Sequence, residues 1–310
     1  MPNKRTLMVF VRILISLVLL TIIFLNVDFK TSWEYMKLVT PGVYLTVVGC
    51  LALSNCASAV RWHMILNKLG SSPGIFVMIK ILAVGLFFNQ ILPSAVGGDL
   101  IRVYRCRLVG VELLKATKSV LIERFIGFLT MLSCFVICSV ILTQKINDPS
   151  INSLLIMAPV FSALALLLFL SLDKLPAPLI NSQIAKKVVS ISFDARQVLR
   201  SKELFLKTIL CSLISIFLLV LGYLLFSLAL NLPLDFFDWL IIGTLVNIVS
   251  ILPISLAGWG VREGIMITLL MGYGVSTEIA LAISLLYGLS LIGIGLPGSL
   301  ILLGDWDIKK

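Results

Sequence analysis

The chain is organised as long, nearly continuous apolar runs separated by short polar segments. Six runs are close to twenty residues long, which is the length an α-helix needs to cross a bilayer. Such continuous runs also exclude transmembrane strands, which alternate between apolar and polar residues over about ten positions. The predicted spanning helices cover residues 7–25, 41–60, 119–143, 152–172, 207–230 and 278–303.

Two further apolar runs, at about 75–92 and 239–252, are shorter, and each leads into Leu-Pro and a glycine-rich turn. We expect each to enter the membrane and return, in helical hairpins at about 75–110 and 239–272. The predicted fold is therefore an all-α integral membrane protein with about six spanning helices plus two re-entrant or broken helical hairpins. Residues 1–310 are expected to form a single transmembrane domain.

Composition supports a membrane protein and limits the chemistry. Hydrophobic residues make up 59% of the chain and charged residues only 13%, whereas soluble proteins carry about 25% charged residues. A soluble enzyme and a secreted domain are thereby excluded. The six cysteines and one histidine have no metal-ligand spacing, so we expect no metal site and no cofactor.

The net charge of +10 is interpreted as a record of membrane topology and of contact with anionic lipid, rather than as a nucleic-acid surface. With the two short runs as hairpins, only Lys30, Lys37, Lys145 and Arg262 lie outside. The other 21 of the 25 basic residues fall on the side of the N-terminus. The positive-inside rule then places the protein in the cytoplasmic (inner) membrane with both termini cytoplasmic.

The longest linker, at about 173–207, is basic and carries apolar residues at helical spacing. Two interpretations are equally supported. The linker is either an amphipathic helix that packs on the rest of the protein or one that lies on the anionic cytoplasmic leaflet.

The two hairpins share a motif. Ile-Leu-Pro ending at Pro93 is followed by Gly98 and Arg102, and the same residues recur 160 positions later, at Pro253, Gly258 and Arg262. Because three predicted crossings separate the copies, they enter the membrane from opposite faces, which is an inverted repeat. The prolines disfavour helix at the preceding residue, and glycines allow the turn to reverse. The predicted turn residues are Pro93, Gly97, Gly98, Pro253, Gly258 and Gly260.

Charged residues within or beside the apolar segments are the candidate substrate site. A charge near the bilayer centre costs about 2.5–3.5 kcal/mol on insertion scales, so these side chains should pair or face a cavity. Asp99 is placed to cap the returning half-helix and orient Arg102. Arg105 either forms an entrance for a phosphate group or is an ordinary cytoplasmic anchor, and the acidic residues are either functional or structural ion pairs. The candidate residues are Asp99, Arg102, Arg105, Glu123, Arg124, Arg262 and Glu263.

The sequence resembles the lysylphosphatidylglycerol synthase transmembrane (flippase-like) family. The resemblance covers nearly the whole chain and is carried by residues 85–102, with Gly97-Gly98-Asp99, and by residues 252–264, with Arg262-Glu263-Gly264. The family often has Arg or Asp at the position of Glu123. The resemblance implies a membrane domain that moves a decorated phospholipid between leaflets. Only six residues follow Gly304, so the soluble synthase domain of the named member is not expected here.

Three functions are weighed. The leading one is a translocase for a phospholipid or other phosphate-bearing lipid, without a visible ATP site. The second is a membrane enzyme acting on a lipid-linked substrate through Asp99 and Glu123, but no His pair, metal cluster or nucleophile elbow accompanies them, so no enzymatic activity is expected. The third is a non-catalytic partner of a separate synthase, docked through the basic linker.

Small-residue spacings such as Ser284 with Gly288 suit helix packing within one chain or in a homo-oligomer.

Overall fold

The structure is a computed structural model that describes residues 4–71, 73–92, 97–142, 183–251 and 255–304. Every regular element in these ranges is an α-helix. The helices are α1 (Lys4–Asn26), α2 (Phe29–Leu38), α3 (Pro41–Lys68), α4 (Ile75–Ile91), α5 (Gly97–Leu108), α6 (Leu113–Leu142), α7 (Gln183–Arg200), α8 (Lys202–Ala229), α9 (Phe236–Ile251), α10 (Val261–Met271) and α11 (Thr277–Leu303). The prediction of an all-α membrane protein is confirmed.

Four helices, α3, α6, α8 and α11, are long and apolar enough to cross a membrane. They coincide with four of the six predicted spans. The first predicted span falls in α1, which bends by 89° into α2, and this bent pair counts as a fifth candidate span. The bend follows from Asp28, whose carboxylate accepts the Lys30 amide at 2.9 Å and caps a new helix. The predicted span at 152–172 lies outside the described residues.

The described helices include two similar four-helix units, α3–α6 and α8–α11. Their helices have 28, 17, 12 and 30 residues in the first unit and 28, 16, 11 and 27 in the second. The pairs in contact also correspond, because α4 packs on α11 as α9 packs on α6. The two units therefore have the same order of long, short, short and long helices.

Helices α3 and α8 pack against each other in antiparallel directions. Ser54 Oγ donates to the Ser215 carbonyl at 2.9 Å, Arg61 bonds Ser212 towards one end, and Val47 lies against Gly222 towards the other. Ser215 is 161 residues after Ser54, which matches the offset between the starts of α3 and α8. Ser54 therefore contacts the residue at the equivalent position of the second unit.

The first short pair, α4 and α5, is an antiparallel hairpin closed by glycines. The Gly98 amide donates to Asn89 Oδ1 at 2.9 Å, and a Cβ on Gly98 would lie 2.2 Å from the Gly85 carbonyl oxygen. A Cβ on Gly97 would lie 2.7 Å from that of Leu92. Glycine is required at both positions because the two backbones approach too closely for a side chain. Pro93 lies outside the described residues.

The second short pair, α9 and α10, is joined by a turn with left-handed backbone. Gly258 and Gly260 have φ of 82° and 86°, a conformation that glycine adopts without steric cost. At the far end of the pair, Tyr273 Oη lies 3.3 Å from Asp238 of α9, so these two helices also run antiparallel. Pro253 lies outside the described residues.

Within the predicted linker, α7 packs on the rest of the protein. Its side chains Ala195 and Val198 are fully buried in a cluster with residues of α3 and α6. Lys118 of α6 binds Asp194 at 2.6 Å. These contacts agree with the first interpretation of this segment. Helix α8 begins at Lys202 rather than at 207, because a helix continues past its apolar section when its polar residues are exposed to water.

Candidate functional site

Five charged residues from three helices form one cluster, which we call the Arg102 cluster: Arg61 of α3, Asp99 and Arg102 of α5, and Glu123 and Arg124 of α6. Arg102 Nη1 donates to Asp99 Oδ1 at 3.0 Å and Arg102 Nη2 to Glu123 Oε2 at 3.2 Å. Arg124, which is half exposed, binds Asp99 at 2.9 Å. The structure thus brings four of the residues predicted from the sequence into direct contact.

Arg61 completes the cluster and was missed by the sequence analysis. Its Nη2 donates to the other oxygen of Glu123, and its Nη1 donates to Ser212 Oγ of α8 at 2.7 Å. One carboxylate therefore bridges two guanidinium groups. Arg61, Arg102 and Glu123 are only 6%, 1% and 2% exposed. Arg61 follows an apolar run and precedes a tryptophan, so its position alone resembles an interfacial anchor.

The positions of both buried arginines are fixed by packing as well as by charge. The Arg102 guanidinium carbon lies 4.1 Å from the centre of the Trp62 ring, and Trp62 Nε1 donates to Ser119 Oγ at 3.0 Å. A Cβ on Gly85 would lie 2.8 Å from Arg102 Cγ, and one on Gly127 would lie 2.9 Å from Arg61 Nη2. These two glycines make the space that the arginines occupy.

A second cluster, the Arg262 cluster, lies at the turn of the α9–α10 hairpin and comprises Trp259, Arg262, Glu263 and Ser284. Arg262 donates to Glu263 Oε1 from Nη2 at 2.7 Å and from Nε at 3.0 Å. The other oxygen of Glu263 accepts the Gly260 amide at 2.6 Å, and Ser284 Oγ donates to Oε1 at 3.1 Å. Arg262 and Glu263 are 3% and 0% exposed.

The Arg262 guanidinium is enclosed by neighbouring groups. Its central carbon lies 4.6 Å from the centre of the Trp259 ring. A Cβ on Gly288 of α11 would lie 2.1 Å from Arg262 Nη2 and 2.8 Å from its Cζ. The guanidinium therefore occupies the space above a glycine, with an aromatic ring and a carboxylate as its other neighbours.

The two clusters occupy corresponding places in the two four-helix units. Gly288, which faces Arg262, is 161 residues after Gly127, which faces Arg61. Ser284 is likewise 161 residues after Glu123. The sequence motif relates only the two hairpin turns. The structure also relates α6 and α11, the helices against which Arg102 and Arg262 lie.

The clusters differ in charge. Arg61 of the first unit corresponds to Gly222 of the second, and Glu123 corresponds to Ser284. The Arg102 cluster therefore contains three guanidinium groups and two carboxylates, whereas the Arg262 cluster contains one of each. Formally, the first cluster carries one excess positive charge and the second is neutral.

A column of aromatic rings from α8, α9 and α11 lies in the same half as the Arg262 cluster. The rings of Tyr223 and Tyr287 stack with centroids 3.8 Å apart, and Trp239 stacks on Tyr223 at 5.5 Å. All three side chains are buried. Tyr223 is the counterpart of Trp62, the ring on which Arg102 stacks, at the same offset of 161 residues.

The remaining predicted residues fall as follows. Arg105 is half-buried on α5, and it forms no ion pair with another residue that the structure describes. Gly97 and Gly98 lie in the first turn of α5, while Gly258 and Gly260 lie in the turn before α10. In the part of the chain that is described, no group of three or more His, Cys, Asp or Glu side chains is placed to hold a metal ion.

The spanning helices and the buried charge clusters define an all-helical integral membrane protein. The profile of a family described as "Lysylphosphatidylglycerol synthase TM region" matches residues 9–298. The chain therefore belongs to this family, as the sequence resemblance suggested. A comparison with curated proteins finds no match.

Proposed function

We propose that this protein moves a lipid with an anionic phosphate between the two leaflets of the cytoplasmic membrane. The observation that carries the proposal is the pair of buried arginines, Arg102 and Arg262, each at a hairpin of a repeated unit. A buried guanidinium presents planar donors that match a phosphate group. Membership of a family described by a lipid synthase's membrane region is in accord with a lipid substrate.

The proposed repeat is inverted with respect to the membrane. Helices α3 and α8 are equivalent members of the two units, both are long enough to span, and they run antiparallel. A two-fold axis that relates antiparallel spanning helices lies in the membrane plane, so it places the two hairpins at opposite faces. This arrangement is typical of transporters that expose one central pathway alternately to either side.

The charge distribution supports an orientation with both termini cytoplasmic. The end of α3 that carries Lys68 then lies at the cytoplasmic face, and the Arg102 cluster lies about two turns from that end. Arg102 receives the phosphate from the cytoplasmic leaflet, with Arg105 leading towards it. Arg262 releases the phosphate on the opposite side. Because no ATP-binding motif is visible, the driving force is a gradient, the membrane potential or simple facilitation.

The ion pairs favour transport over catalysis. A general acid or base has to exchange a proton during the reaction. Asp99 is bound to two arginines and Glu123 to two arginines, so the oxygens of both carboxylates are already engaged in ion pairs. We therefore propose that the acidic residues orient arginines and that the lipid itself is the partner of the site.

The test is leaflet exchange in proteoliposomes. Lipids with a fluorescent acyl chain are incorporated, and dithionite added outside reports how fast the inner population becomes accessible. We expect exchange of phosphatidylglycerol above that of empty liposomes, with strong loss in Arg102→Gln and in Arg262→Gln. Arg107→Gln removes an exposed cation from the same helix as Arg102 and should exchange lipid as the wild type does. Equal exchange in all four proteins, across a panel of head groups, would contradict the proposal.

A further inference from the structure

Glu123 is the only carboxylate shared by two buried guanidinium groups in the described part of the chain. Its bond to Arg102 is long for a charged pair, at 3.2 Å, whereas such contacts are usually about 2.7–2.9 Å. Sharing therefore leaves one arginine less tightly bound. An anion at this position could accept hydrogen bonds from both guanidinium groups if it displaced the Glu123 carboxylate.

The same two arginines retain unused donors. The Nε atoms of Arg61 and Arg102 are both buried without a hydrogen-bond partner. A buried donor without a partner is energetically costly, so a site that leaves two of them is incomplete. The excess positive charge of the Arg102 cluster indicates the missing group, because one negative charge would neutralise it.

We propose that Arg61 and Arg102 form a two-arginine clamp for the phosphodiester of a lipid, and that Glu123 occupies the clamp until the lipid displaces it. This inference rests on the proposed function and names the group that the site takes. A phosphodiester carries a single negative charge, which matches the excess charge of the cluster. A diphosphate carries more charge than the cluster can balance.

The second unit lacks this clamp. The counterpart of Arg61 is Gly222, and Arg262 is paired with Glu263 in a neutral cluster. The lipid is therefore held more strongly at the Arg102 cluster than at the Arg262 cluster. A strong site on the loading side and a weak site on the opposite side favour release of the lipid there.

A groove of about 290 Å³ lies between α3 and α8, towards the end of α3 that is nearer the clamp. Its lining includes Met64, one turn after Arg61. Lys68 and Lys207 also line it, although Lys207 is bound to Glu203 at 2.5 Å. Lys68 forms no ion pair with another residue in the described part of the chain, so its charge would attract an anionic head group to this groove, close to Arg61.

The experiment measures lipid binding to the purified full-length protein by native mass spectrometry after delipidation. Four probes are added separately: phosphatidylglycerol, diacylglycerol with the same acyl chains, farnesyl diphosphate and inorganic phosphate. The proteins are the wild type, Arg61→Gln/Glu123→Gln, Glu123→Gln and Arg107→Gln. The double variant removes a charge pair, so the net charge of the cluster and the pairing of buried charges are preserved.

We expect the wild type to bind phosphatidylglycerol at least tenfold more tightly than diacylglycerol, farnesyl diphosphate or inorganic phosphate. Relative to Glu123→Gln, the double variant loses one charge-assisted contact, so it should bind phosphatidylglycerol about tenfold to a hundredfold more weakly. Glu123→Gln removes the competing carboxylate and should bind this lipid more tightly than the wild type. Arg107→Gln should bind as the wild type does.

Two results would overturn the clamp while leaving the proposed function intact. One is binding of phosphatidylglycerol by the folded double variant within twofold of that by Glu123→Gln. The other is tighter binding of the diphosphate or of free phosphate than of phosphatidylglycerol by the wild type. If the wild type does not distinguish phosphatidylglycerol from diacylglycerol, the proposed function fails together with the clamp. Thermal unfolding of each variant shows that the proteins compared are folded.

Discussion

Replacing Gly288 with alanine tests whether the position of the Arg262 guanidinium matters. The new Cβ would lie 2.1 Å from Arg262 Nη2, whereas ordinary contact begins at about 3.4 Å. The guanidinium must therefore move by more than 1 Å. Because it is bonded to Glu263 and stacked on Trp259, such a shift breaks at least one of these contacts.

The expected loss of stability can be worked from these contacts. A hydrogen bond to a charged group contributes about 1.5–3 kcal/mol, and alanine in place of glycine within a helix returns up to about 1 kcal/mol. We therefore expect the free energy of unfolding to fall by about 0.5–2 kcal/mol. Lipid exchange should also fall, because the arginine that we propose binds the lipid phosphate has been displaced.

Gly293 provides the matched control on the same helix. A Cβ on Gly293 would lie 3.8 Å from Val48, which is ordinary contact. Unfolding temperature in detergent and dithionite-monitored lipid exchange are measured for both variants. Gly293→Ala should match or exceed the wild type in stability and retain exchange. If Gly288→Ala and Gly293→Ala behave alike in both assays, the steric argument about Arg262 is wrong.

Three further variants test other parts of the account. Gly298→Ala should lower the unfolding temperature, because its Cβ would lie 2.2 Å from a carbonyl oxygen of α4. Gly49→Ala is the control, since its Cβ would meet no atom within 4 Å. Equal unfolding temperatures of the two variants would contradict this packing. Asp99→Asn weakens the ion pairs with Arg102 and Arg124 and should reduce lipid exchange at least tenfold. Its helical content in circular dichroism should be unchanged. Lipid exchange at the wild-type rate would exclude a role of Asp99 in orienting the arginines. Lys118→Gln removes the bond to Asp194 and should increase deuterium exchange in α7 but not in α4. Unchanged exchange in α7 would show that apolar contacts alone keep α7 packed on the protein.

The positions of the spanning helices could be predicted because each needs about twenty apolar residues, and this length is visible in the sequence. The hairpins could be located because Ile-Leu-Pro and glycine interrupt shorter runs at matched positions. The length of the second turn could not be predicted from the sequence. This turn contains several residues with left-handed backbone, among them Ala257 and Gly260, so α10 starts later in its unit than α5 does.

The candidate site was only half predictable. Asp99 and Arg102 lie one helical turn apart, so their contact follows from sequence spacing. The role of Arg61 depends on the packing of α3 beside α6 and α8, which no local pattern encodes. The contacts of Gly127 and Gly288 with arginines could not be predicted for the same reason, although Gly288 was expected at a helix contact and the two glycines are 161 residues apart.

Small residues of α11 lie at contacts within the chain. Gly295 and Gly298 lie against α4, where the Gly298 Cβ position is 2.2 Å from the Ala83 carbonyl oxygen. These small residues therefore serve contacts within one chain. The Ser284 hydroxyl likewise binds Glu263 of the same chain at 3.1 Å. Small residues at the interfaces let helix backbones approach closely in a membrane.

Photo-crosslinking can show whether a lipid phosphate reaches the buried arginines, as we propose. Phosphatidylglycerol with a diazirine on its head group is incorporated into proteoliposomes, and the crosslinked residues are mapped by mass spectrometry. We expect crosslinks at buried residues beside the arginines, such as Trp62, Ser119 and Ser284, with those at Trp62 lost in Arg102→Gln. Crosslinks confined to exposed apolar residues such as Leu100 and Leu206, unchanged in Arg102→Gln, would contradict it.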